Sequence, residues 1–93
     1  MAVKSDITYK GFQAVQAYVS YKGHKVEKVS EIVNEEVIKT YYVTVYLEIY
    51  KDDTKAIYLQ NDQIKYNTNK DNDLSFTKLW QEVKKKYSGT DVI

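Results

Sequence analysis

Between Val37 and Lys51 the chain alternates almost without a break. Val37, Tyr41, Val43, Val45, Leu47 and Ile49 fall on one side, and Ile38, Thr40, Tyr42, Thr44, Tyr46, Glu48 and Tyr50 on the other. Side chains of an extended strand point to opposite faces with period two, so this segment reads as a strand with one apolar and one tyrosine-rich face. Fully extended it would reach about 50 Å, longer than most strands, which predicts a bend or a change of neighbours along its length.

The rest of the chain supplies partners for that strand. Ala14 to Tyr21 alternates in the same way, and Lys22-Gly23-His24-Lys25 reads as a tight turn after it. Val26 to Val33 fits either a helical face, through Val26, Val29, Ile32 and Val33, or a strand rich in β-branched residues. A strand with an irregularity is preferred, because it suits a meander. After the long strand, Asp52-Asp53-Thr54 is turn chemistry and Lys55 to Gln60 a returning strand; Asn61-Asp62 reads as a further turn, and Gln63 to Asn67 as a short strand. Ile7 to Lys10 reads as a first strand or as part of an extended arm over residues 1–11, ending at Gly11.

Phe76, Leu79, Trp80, Val83 and Tyr87 recur at helical spacing, predicting one amphipathic helix over residues 74–88. Asp73 or Ser75 is placed to cap its start, Lys84, Lys85 and Lys86 complement the dipole at its end, and Gly89 is a candidate C-cap. The expected fold is therefore α+β in one domain, residues 1–93. An antiparallel meander of about four to five strands carries the C-terminal helix on one face, Trp80 meeting Val43, Val45 and Leu47.

Ninety-three residues contain no cysteine, which removes disulfides and thiolate metal sites. The single histidine, His24, lies between lysines and reads as a solvated turn residue rather than a catalytic base. Glu35-Glu36, Asp52-Asp53 and the acidic residues from Asp71 to Asp73 read as solvated charge and turn formers. The last of these segments lacks the glycine and distant glutamate of a calcium loop. No glycine-rich phosphate loop is present. No enzyme, metal, cofactor or small-molecule substrate is therefore expected. Without an apolar leader or a span of about 18 apolar residues, neither secretion nor membrane insertion is expected.

Ten tyrosines are the compositional excess, and three of them, Tyr42, Tyr46 and Tyr50, line one side of the long strand. Tyrosine favours strands for ordinary reasons of cover. It also offers rigid amphipathic area to a protein partner, or a stacking platform to bases. Nucleic acid ranks last: the net charge is +1 and every one of the fourteen basic side chains is lysine, so both the positive field and the arginine fork are missing. Tyr42, Tyr46 and Tyr50, with Tyr9 and Phe12 near the N-terminus, are the candidate contact residues for a protein interface.

Two stretches carry a resemblance. Ser5-Asp6-Ile7-Thr8-Tyr9-Lys10-Gly11, leading into Ala14 to Tyr18, and the closing helix Leu79 to Tyr87 followed by Ser88-Gly89-Thr90-Asp91-Val92 resemble small virion-associated or tail-region structural proteins of long-tailed bacteriophages. The resemblance implies a non-enzymatic structural or assembly role in a virion or host cytoplasm. Many copies, or other virion proteins, would be held together through sheet edges and terminal arms. The alternatives are a small phage-encoded inhibitor or regulator of a host protein, and after it a single-strand nucleic-acid binder.

Overall fold

In the computed structural model, which describes residues 2–92, the alternating segment forms the strand Glu36–Tyr50, near the centre of a five-stranded sheet. In chain order the elements are β1 (Ala2–Tyr9), β2 (Phe12–Val33), β3 (Glu36–Tyr50), β4 (Tyr58–Thr68), a 3₁₀ turn (Asp71–Leu74), α1 (Phe76–Lys86) and β5 (Thr90–Val92). The sheet order is β4-β3-β2-β1-β5 and every neighbouring pair is antiparallel. The expected α+β arrangement is the observed one. One strand was not expected: α1 carries the chain from the β4 side to the opposite edge, where β5 pairs with Ala2 to Lys4.

The core lies between α1 and one face of the sheet. Val43, Val45, Leu47 and Ile49 of β3 are buried with Val19 of β2, Val3 of β1, and Leu79, Trp80 and Val83 of α1. Apolar side chains at alternate strand positions and at helical spacing thus meet as the two periodicities require. Ser75 caps α1 by accepting from the Lys78 N–H at 3.3 Å, and the preceding residues form the 3₁₀ turn rather than the first turn of the helix.

Four local expectations are corrected. Lys22-Gly23-His24-Lys25 is not a turn: β2 runs through it, and the register against β3 steps from Tyr21↔Leu47 to Gly23↔Tyr46, leaving Lys22 as the extra residue of a bulge. The φ of +150° at Gly23 is one that glycine adopts freely, and the extra residue brings His24 onto the core side, opposite Val45. Asn61-Asp62 is also strand, opposite Glu48 and Leu47, because the ladder to β3 outweighs local Asx chemistry.

Of the two readings of the N-terminus the strand holds, over Ala2–Tyr9 rather than Ile7 to Lys10, and the arm does not. These residues form β1, hydrogen-bonded to β2 on one side and to β5 on the other, with Val3 wholly buried; Met1 lies outside the described residues. Finally, Gly89 is not the C-cap. Tyr87 occupies that position, its N–H donating to the Val83 carbonyl at 2.9 Å.

The preferred reading of Val26 to Val33 as strand holds, but its irregularity sits earlier, at the Lys22 bulge. β2 and β3 continue beyond their other neighbours as a two-stranded ribbon, closed by Asn34 and Glu35 at φ +50° and +67°. Two positive φ values in a two-residue connection are those of a type I′ hairpin, whose twist matches the strands. The ribbon lengthens the molecule to 53 × 26 × 18 Å.

Candidate protein interface

Among the described residues no helix or strand covers the sheet face opposite α1, where β3 places Tyr42, Tyr46 and Tyr50. Only the loop after β3 reaches over one end of it, with Lys55 5.4 Å from the centre of the Tyr18 ring and Asp53 paired with Lys4 at 3.0 Å. Tyr50 stands between Tyr18 of β2 and Tyr58 of β4, a row of three tyrosines across three strands. The Tyr50 and Tyr58 rings meet edge-to-face at 5.8 Å, a favourable aromatic geometry. Tyr50 also donates its hydroxyl to Glu48, and this hydrogen bond, before burial, holds the phenol above its ordinary pKa. Lys22 approaches the same carboxylate at 3.6 Å.

The other two tyrosines are freer. Tyr46 faces Gly23 on β2 and Gln63 on β4, so one flank has no side chain beside it. Tyr42, at 46% exposure, faces Glu27 and Asn67. The resulting surface is aromatic, amide-rich and of mixed charge. Lys25 and Glu27 on its margin pair at 2.6 Å, the hydrogen bond between them raising the lysine pKa and lowering the glutamate's.

Tyr9 and Phe12 do not join this face. They stand opposite each other across the β1–β2 turn, whose central residues Lys10 and Gly11 have φ +46° and +83°. Both belong to the side of the sheet that α1 covers farther along, at the end remote from the ribbon. There they line a cleft of about 640 Å³ with Ala14, Val15, Lys51 and Leu59. Phe12 is 72% exposed, so the cleft has an open apolar wall.

The ribbon is the feature that reading by segments missed. Ile32 and Val37 lie on its core-side face, and Val29, Val33 and Ile38 on the tyrosine side; all five are exposed, Ile32 most of all at 79%, as is Val26 just before it, where β3 still pairs with β4. The signal was available in the mirrored order Ile32-Val33-Asn34-Glu35-Glu36-Val37, where an asparagine that tolerates positive φ separates two apolar steps.

Several of the charged groups singled out in the sequence are engaged by other side chains or by backbone. Lys84, Lys85 and Lys86 each pair with a carboxylate, Asp91 at 3.1 Å, Glu82 at 2.8 Å and Asp62 at 2.7 Å, so the basic run is largely neutralised where it stands. Asp52 accepts from the Thr54 N–H at 3.0 Å and Asp73 from the Thr68 hydroxyl at 2.7 Å. His24 is exposed, its Nδ1 at 2.6 Å from the Tyr21 hydroxyl. Among the described residues no group of three or more His, Asp or Glu is placed to hold a metal ion, and no helix is long and apolar enough to cross a membrane. The chain matches no family model, no curated protein and no solved structure.

Proposed function

We propose that the protein is a non-enzymatic structural or assembly component of phage type that works by protein–protein contact, with copies of itself or with other virion proteins. The observation that carries this reading is the exposed ribbon. A two-stranded hairpin is at best marginally stable alone in water, yet this one extends past both flanking strands with two exposed aliphatic residues on its core-side face and three on the other. Large exposed apolar surface of this kind marks an interaction site. The open tyrosine face adds rigid contact area beside it. The local pairing of the Lys84 to Lys86 run, together with the small net charge, favours a protein partner over a polyanion.

Sedimentation equilibrium over a wide concentration range tests the self-associating form of this reading. A mass that rises above the 10.9 kDa of one chain is expected. A strictly monomeric protein at the highest concentrations defeats self-assembly.

A further inference from the structure

Beyond Ser20, β2 loses the neighbour that β1 provides, and among the described residues no strand lies against that edge from Lys22 to Val33. The other edge of the ribbon, on β3, is less open: Lys39 and Tyr41 share a cleft with Asn69 to Asn72, the loop that follows β4. One long backbone edge thus remains unpaired among the described residues, beside aliphatic side chains, Val26, Val29, Ile32 and Val33, that are 40–79% exposed. Natural sheets blunt such edges with proline, short strands or inward charge. Here there is no proline, and the charges along the edge alternate in sign as Lys25, Glu27, Lys28 and Glu31.

We propose that this edge is closed by the same edge of a second copy, β2 pairing antiparallel with β2 about a two-fold axis near Lys28. The inference rests on the self-associating reading above and specifies its geometry. A two-fold axis normal to the sheet sets one residue opposite itself and pairs the others symmetrically around it, each side chain with one on the same face. The second copy's hairpin tip must also stop short of Ser20, where β1 occupies the edge, which excludes any axis nearer the base than Glu27.

Charge selects among the registers that remain. An axis at Glu27 sets that carboxylate against itself with no compensating pair. An axis at Val29 sets Glu27 against Glu31 twice. An axis at Ser30 brings no ion pair and shortens the overlap. An axis at Lys28 sets Lys25 against Glu31 of the second copy twice, at the cost of one lysine pair whose long stems can splay into solvent. It also overlaps the edge from Gly23 to Val33, nearly its whole open length. The product is a single ten-stranded sheet with both helices on one face and both tyrosine rows on the other.

Because the chain has no cysteine, single-cysteine variants read this geometry directly. K28C is expected to form an interchain disulfide under mild oxidation about tenfold faster than Q63C or V15C, which are exposed elsewhere, since only the first brings two Cβ atoms within bonding range. E31K is expected to weaken association several-fold, and K25E/E31K to recover most of it, because the exchanged charges face each other again. A protein that associates while K28C crosslinks no faster than the controls overturns edge pairing and leaves self-assembly standing. A protein that stays monomeric overturns both.

Discussion

A Cβ atom on Gly89 would lie 1.8 Å from the carbonyl oxygen of Lys4. The strand β5 closes on β1 immediately after this residue, Thr90 pairing with Lys4, and the Ser5 hydroxyl donates to the Ser88 carbonyl at 3.1 Å. Glycine is required here for close approach of two backbones, not for its freedom in φ. Gly89→Ala must therefore push β5 off the sheet edge, and urea denaturation is expected to show a loss of about 2–3 kcal/mol. Gly11→Ala has open space around it and meets only its φ of +83°, so its cost is expected nearer 1 kcal/mol.

Asp62 binds the end of the helix to the sheet. It accepts from Lys86 at 2.7 Å and from the Tyr87 hydroxyl. Burial alone would raise its pKa, but the hydrogen bonds from Lys86, Tyr87 and the Gln63 N–H together hold the carboxyl below its ordinary value. A depressed carboxylate contributes stability that is present above the unfolded value near 3.9 and is lost as pH falls through the folded one. The Tyr87 phenol is pushed up, by burial first and then by the bond to Asp62. Its contribution is complete below about pH 10 and is lost as pH rises through the raised value. Asp62→Asn is expected to cost about 1 kcal/mol at pH 7 and to flatten the acid limb of stability against pH, measured by urea melts from pH 7 down to 3.

Period-two alternation made β3, its two faces and the matching stripe on α1 legible, because both elements obey short-range geometry. Three other features depend on partners distant in sequence. The Lys22 bulge and the Asn61-Asp62 stretch look like turns to a local reading, since glycine and Asx residues serve both purposes; only the β2–β3 and β3–β4 ladders decide. Tyr42, Tyr46 and Tyr50 fall on the face that α1 leaves open, as the alternation required, whereas Tyr9 and Phe12 go elsewhere because β1 is built into the sheet. Val37 shows the limit of pattern most clearly. It shares the apolar side of β3 with Val45, yet lies beyond the reach of α1 and is 61% exposed.

That contrast is measurable. Leu47 is 2% exposed beneath the helix, and Leu47→Ala is expected to lose about 2–5 kcal/mol through lost burial and the cavity left behind. Val37→Ala, on the same strand and the same side, is expected to stay within about 0.5 kcal/mol in the monomer. Equal losses at the two positions would mean that the ribbon is covered in the free chain.

The bulge in β2 opposite Asp6 gives a further separable term. Gln16 takes a φ of +55°, and its N–H donates to the Asp6 carboxylate at 2.8 Å, so an exposed side chain replaces the ladder bond that the bulge removes. Asp6→Ala is expected to cost about 1 kcal/mol, and Asp6→Asn to restore most of it by keeping an acceptor in place. Gln16→Gly relieves the left-handed conformation and is expected to offset part of the Asp6→Ala loss, read from the same urea titrations.

Association and folding separate most cleanly on the ribbon. Ile32 and Ile38 lie on opposite faces of it and are 79% and 41% exposed, so neither stabilises the isolated chain by much. Their replacement by serine keeps the strand backbone, removes apolar area that a partner would cover, and adds a side chain that water satisfies. Ile32→Ser/Ile38→Ser is therefore expected to leave the urea midpoint of the monomer within about 0.5 kcal/mol of the parent. The same change is expected to raise the dissociation constant for self-association at least tenfold, since burying one isoleucine is worth about 1.5–3 kcal/mol and a factor of ten needs only about 1.4. Sedimentation equilibrium on both proteins at matched concentrations decides the point. Unchanged association would place the interface off the ribbon, whereas weakened association with an unchanged midpoint assigns these exposed aliphatic residues to contact and not to folding.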